Sequence, residues 1–267
     1  MKMKKIHLIF LSTVLFFSSL QLLHAQEIEK DEKPKKSKRL YDSNNAILIS
    51  PTYTAQFPFG NMADRFGFNS RFGIHLAYKM SKNWIIGVEG GFLFGTTIRE
   101  GYILDNISNP AGQHLSQNND LIRVKPQQQG FDIKFTIGKI IPFSEKYPDA
   151  GLLVMTSFGF LQHMIAVNVR AASLPQLNKT YRKGYDRMAN GPAISQFIGG
   201  IFLHRKTFAS AYIGFQFDVA FTQGRRNYDF YNMAPLKDKR VDIFLGVKIG
   251  WIIPVFTTTS EKEYFYY

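Results

Sequence analysis

Seven charged residues and one histidine stand at alternate positions inside otherwise apolar segments: Arg71, His75, Glu89, Asp132, Lys134, Asp218, Asp242 and Lys248. Acids and bases nearly cancel, and many neighbours on the same face are glycine. Such a set suits a network of ion pairs in an enclosed space, and its other use would be to relay protons or ions. For hydrolysis the candidates are Ser157 and His163, which a lipid hydrolase would place on an outer face near headgroups, and no third partner accompanies them. His114, His163 and His204 are scattered. The chain has no H-E-x-x-H, G-x-S-x-G, phosphate loop or acidic calcium loop. With no cysteine, it can form no disulfide, thiolate nucleophile or cysteine-linked lipid anchor. The expectation is therefore no catalytic residue, no metal and no cofactor.

The elements that carry these residues alternate with period two. From Val241 to Trp251, Val241, Ile243, Leu245, Val247, Ile249 and Trp251 share one face, while Asp242, Phe244, Gly246, Lys248 and Gly250 share the other. The same pattern predicts strands over 46–57, 71–80, 84–94, 131–137 and 211–221. Segments 151–167 and 193–204 are apolar on both faces in places, which leaves their register open. The links between these strands alternate between short (near 81–83, 144–150 and at Arg205-Lys206) and long (58–70, 96–130, 168–191 and 224–240). All long loops thus fall at one end. This is the order of an all-β, antiparallel up-and-down transmembrane β-barrel of about eight strands.

A soluble lipocalin-like barrel would bury the apolar face and expose the charged one. Here the apolar face is rich in Phe and unbroken by charge for about ten residues, enough for a tilted strand to cross hydrocarbon. The glycine-rich polar face suits a crowded lumen. An eight-stranded barrel is just filled by its own side chains, so the lumen charges are expected to pair and close it; a narrow ion or solute channel is the third-ranked reading. Tyr78, Trp84, Phe143, Trp251 and Phe256 fall at the short-turn end and Tyr53, Phe57, Phe94 and Phe221 towards the loops, where rings anchor at headgroups.

A net charge of +13 would by itself suggest nucleic acid. The first residues change that reading. Met1-Lys2-Met3-Lys4-Lys5, an apolar run from Ile6 to Leu23 and Ala25 have the three parts of a signal peptide, residues 1–25, cleaved after Ala25. Cleavage lowers the charge to about +10 and sends the chain away from the genome. Residues 26–45, with Lys35-Lys36-Ser37-Lys38-Arg39, read as a flexible polar periplasmic tail. The barrel spans 46–256, and 257–267 is a periplasmic C-terminal tail.

Much of the remaining positive charge lies in the last two long loops. Arg182, Lys183, Arg187, Arg225 and Arg226 are interleaved there with Tyr185 and Tyr228, a surface suited to lipopolysaccharide phosphates or an acidic envelope protein.

The runs Gly184-Tyr185-Asp186-Arg187-Met188-Ala189-Asn190-Gly191, Ser195-Gln196-Phe197-Ile198-Gly199, Phe221-Thr222-Gln223-Gly224-Arg225-Arg226 and Gly250-Trp251-Ile252-Ile253-Pro254 resemble a group of outer-membrane β-barrel proteins. The region from Ala46 to Phe256 is similar to small barrels of the OmpX and OmpA transmembrane-domain type. The resemblance implies a non-enzymatic structural or accessory subunit in the bacterial outer membrane, acting through loops or tails, as accessory barrels do in secretion machines such as the type IX system. One departure is the extension past Phe256, whose Tyr264, Phe265, Tyr266 and Tyr267 are candidates for contact with a periplasmic partner. The runner-up is an outer-leaflet lipid A hydrolase.

Overall fold

Strict alternation of apolar and polar residues lets one ladder of backbone hydrogen bonds separate two environments, and the alternating segments form eight long antiparallel strands. In a computed structural model, which describes residues 45–145, 147–167, 174–204 and 210–256, these are β1 (Ala46–Gly60), β2 (Asn69–Lys79), β3 (Trp84–Gly95), β6 (Pro126–Pro142), β7 (Ala150–Val167), β8 (Ala189–Phe202), β9 (Ser210–Gly224) and β10 (Lys239–Phe256). Each pairs with its sequence neighbour, and β1 pairs with β10 from Ala46↔Phe256 to Gly60↔Asp242. The sheet therefore closes into a barrel with no free edge. A two-stranded hairpin, β4 (His114–Leu115) and β5 (Leu121–Ile122), and a five-residue helix, α1 (Asn61–Arg65), belong to the loops. Residues 1–44, where the signal peptide and the polar tail are expected, the segment 257–267 with Tyr264, Phe265, Tyr266 and Tyr267, and the turn residues Arg205 and Lys206 lie outside the described residues.

Polarity is inverted relative to a soluble protein. Ile74 and Ile133 are each 57% exposed and Phe215 68%, whereas the side chains of Arg71, Lys134 and Lys248 point inward and are buried. The turn between β2 and β3 closes with the Asn83 N–H donating to the Met80 carbonyl, and Asn83 takes a left-handed φ of 64° that its short amide side chain tolerates. Its side chain also donates to the Pro148 carbonyl, tying two short turns together.

Some strands run past their apolar cores. The alternation predicts 131–137, but β6 spans Pro126–Pro142, because the ladder to β7 continues where Gln127 and Gln129 interrupt the apolar face. The registers left open by sequence are also fixed. Odd-numbered residues of β7 and β8, such as Ser157 and Ser195, point into the lumen, and even-numbered ones point out.

Candidate functional site: the barrel interior and its loop cap

The interior is stratified. Towards the short turns, Leu48, Ile85, Ile140, Leu153, Phe197, Tyr212 and Ile252 belong to one apolar layer. At the loop mouth, Leu93, Leu161, Ile165 and Phe244 meet Met62, Phe66, Ile103, Leu104, Leu174 and Leu177, which the loops insert into the barrel. Apart from these two layers stands an ionic layer.

Arg71 on β2 is its centre. Its Nε and Nη2 donate to both oxygens of Asp132 at 2.6 and 2.5 Å, and Nη1 donates to Glu89 Oε1 at 2.7 Å. The other Glu89 oxygen accepts from Lys248 Nζ at 2.6 Å. Lys134 donates to Asp218 at 2.5 Å, and Asp218 also accepts from the Ser195 hydroxyl and the Gln216 and Gln56 amides. Three cations thus face three carboxylates, each multiply bonded, the condition under which buried charge is tolerated. Glycine makes room: a Cβ at Gly91 would fall on the Arg71 guanidinium, and one at Gly250 on the Tyr212 ring. The Lys248 ammonium lies 5.8 Å from the Phe197 ring centroid and 5.9 Å from that of Tyr212, at the edge of the apolar layer.

Of the eight lumen residues selected from sequence, six form this layer and His75 sits opposite Glu89 on the ladder, buried. Asp242 does not join them. It lies nearer the loops, accepting from Thr222 at 2.5 Å and bonded to His163 Nε2 at 2.9 Å. The lipid-hydrolase candidates are corrected by the same geometry. Ser157 and His163 face the lumen, both buried, not the outer wall, because the odd-numbered residues of β7 point inward. Ser157 is bonded to Thr136, and His163 lies six positions further along the same strand, about 20 Å away. They cannot form a nucleophile and base pair.

The loops join into one cap around Arg187. Its Nη1 meets Glu100 at 2.8 Å and its Nη2 meets Asp229 at 2.9 Å, while its carbonyl accepts from Arg65 at 3.3 Å. Its guanidinium carbon lies 5.9 Å from the Tyr102 ring centroid and 5.8 Å from that of Tyr231. One residue therefore links all four long loops. Arg226 pairs with Asp186, and the Phe230 N–H donates to the Gly184 carbonyl. Burial, with Arg240 nearby, lowers the Arg65 pKa to about 10. Burial also opposes charge on Arg187, but its bonds to Glu100 and the charge of Asp229 hold its pKa above the ordinary value.

Tyr185 and Arg187, expected on the basic-aromatic loop surface, are thus buried inside the cap, since the loops pack on one another. Arg182 and Arg226 are partly buried; Lys183, Arg225 and Tyr228 are exposed, with Arg225 Nε donating to Asn190 at 2.6 Å.

No family model matches the chain, and no curated protein matches it. Among solved structures, it is similar to neisserial surface protein A, with 6% identity and a TM-score of 0.38 over 77% of this chain and 96% of that one. It is also similar to Ail, the attachment invasion locus protein of Yersinia pestis, in complex with the heparin analogue sucrose octasulfate: 7% identity, TM-score 0.39, 79% of this chain and 99% of that one. A second structure of Ail gives 10% identity and a TM-score of 0.37 over 79% and 99%. Closure of the eight-stranded ring rests on the strand pairings themselves.

Lys79 stands on the polar face of the 71–80 alternation with Arg71 and His75, but no local pattern gives its partner. Lys79 and Asp149, 2.7 Å apart, are distant in the chain and lie at strand and turn ends. Glu100, Asp186 and Asp229 lie in loops without periodicity. Inward Ser195 and Gln216 were legible only as the polar face of a strand.

Proposed function

We infer that the chain is a bacterial outer-membrane barrel without enzymatic activity, which acts as a structural or accessory subunit through its capped loops. The observation that carries this reading is the inverted polarity of a closed sheet: Phe, Ile, Leu and Val outside, six paired charges inside. Exposed apolar area on this scale is costly in water and favourable in lipid, at about 25 cal/mol per Å². The signal-peptide pattern of residues 1–25 and exposed aromatic rings such as Tyr78, Trp84 and Trp251 agree with it. The stratified lumen supports a plug rather than a conduit, since an ion would have to pass two apolar layers.

Action through the loops is supported by exposed Lys179, Lys183, Arg225, Lys237 and Lys239, held on a cap in which Glu100, Asp186 and Asp229 are paired internally while Asp64, Asp105, Asp120 and Asp238 stay exposed. Such a surface fits lipopolysaccharide phosphates or an acidic envelope protein, within a secretion assembly for instance. The test has two arms. Outer-membrane fractionation followed by gel migration with and without boiling should give two positions; one position contradicts the barrel reading. Detergent pull-down of the full chain and of a chain ending at Phe256 tests the accessory role. Identical captures assign the partner to the barrel and loops, loss of a protein assigns it to the tail, and no captured envelope protein contradicts an accessory role.

A further inference from the structure

The outer wall carries one polar pair where lipid tails would be. Thr156 on β7 and Gln196 on β8 face each other across the ladder, both pointing outward, and Thr156 Oγ1 donates to Gln196 Oε1 at 2.8 Å. Val154, Phe158, Ile194 and Ile198 flank them on the same face, and Phe217 of β9 is the other ladder neighbour of Gln196. Elsewhere on the described outer wall, polar side chains keep to the strand ends. Gln129, Gln162, Asn190 and Gln223 lie at the loop end and Lys139 at the other, while Tyr53 reaches Ser70 at the start of β2. Gln196 is also under-used. A carboxamide offers two donors and two acceptor sites, and beyond Thr156 its one hydrogen bond among the described residues is a 3.4 Å donation to the Phe197 carbonyl. Two outward positions further along β8, Gly200 leaves a notch with nothing within 4 Å of where a Cβ would stand.

An amide left with spare donor and acceptor capacity in hydrocarbon is unfavourable, and its bonds across an interface act as glue between membrane segments. We propose that the β7–β8 face is the interface of a homodimer, with the Gln196 carboxamides of two copies pairing across a two-fold axis. The carboxamide is self-complementary, donating an N–H and accepting at its carbonyl in the same plane, which suits an isologous contact. Depth also selects a second copy. Copies inserted in the same orientation bring Gln196 to Gln196 at one level without any further requirement, and the Gly200 notch lets the two walls approach closely below it. This rests on the outer-membrane reading above.

The absence of cysteine makes the test direct. Ile198→Cys, beside Gln196 on the outer face, and Ile74→Cys, across the ring on β2, are oxidised in native outer membranes. A disulfide-linked product of twice the chain mass is expected for Ile198→Cys and not for Ile74→Cys. Adding Gln196→Leu should lower its yield about tenfold, and Gln196→Asn should lower it less. No dimer at position 198, equal dimer at both positions, or a product containing a different protein overturns the proposal. Boiled and unboiled migration of each variant keeps the two readings apart. Heat-modifiable migration without the cross-link refutes the dimer alone, whereas a single migration position removes the membrane reading and the dimer with it.

Discussion

Arg71 shows how a single side chain can organise a barrel interior. It satisfies both oxygens of Asp132 and one of Glu89, so Arg71→Leu leaves two buried carboxylates short of a cation. Breaking a buried pair from one side costs about 3–5 kcal/mol, which should appear as a lower urea midpoint for the barrel in detergent micelles. An unchanged midpoint would mean that water enters the layer and solvates the acids. The eight charged and histidine positions were legible because alternation assigns every inward residue once one strand's face is known. Their division was not. Only closure places Asp242 beside His163 on β7, far away in sequence, and buries that histidine inside the barrel. At the cap, burial lowers the His114 pKa below its ordinary value. The unfolded hairpin then takes up a proton before the folded one, so its stability is full at neutral pH and declines as pH falls through 6.5. Hydrogen exchange should show β4–β5 losing protection between pH 7 and pH 5 in the wild type and keeping it in His114→Leu.

The strands and the loops differ in how much their sequences declare. A strand between two media must alternate, and β10 does so almost without exception from Val241 to Ile253. In β7 and β8 the pattern blurs, because inward Leu153, Leu161 and Phe197 fill apolar layers while outward Thr156 and Gln196 are polar. Loops have no period, and the cap they build depends on contacts such as that between Arg187 and Glu100, which no local pattern foreshadows. The cap should behave as one element. Arg187→Ala removes links to Glu100 and Asp229 together and leaves the strand ladder intact. Limited proteolysis should then cleave the loops at 96–125 and 225–238 at least about tenfold faster, both at once, with heat-modifiable migration unchanged. Faster cleavage in only one loop would show that Arg187 is not the hub.

At the scale of the molecule, length, charge and aromatic content acquire one meaning. The 25 Phe residues do not fill a large soluble core, since rings such as Phe57, Phe72, Phe92 and Phe215 are at least half exposed around a ring of eight strands. The polar residues that would face solvent in a lipocalin-like barrel line the interior here. Two apolar layers and a neutralised ionic layer predict a closed lumen, and planar-bilayer recording should find no conductance above background; regular single-channel steps would contradict the plug. Contact between the Phe-rich wall and lipid is measured by a fluorophore on Ile133→Cys, with Leu115→Cys in the loop hairpin as reference, in vesicles containing lipids doxyl-labelled at mid-chain. Strong quenching at position 133 and little at position 115 is the expected result. Equal, weak quenching at both would place the apolar wall outside the bilayer and overturn the membrane-barrel reading.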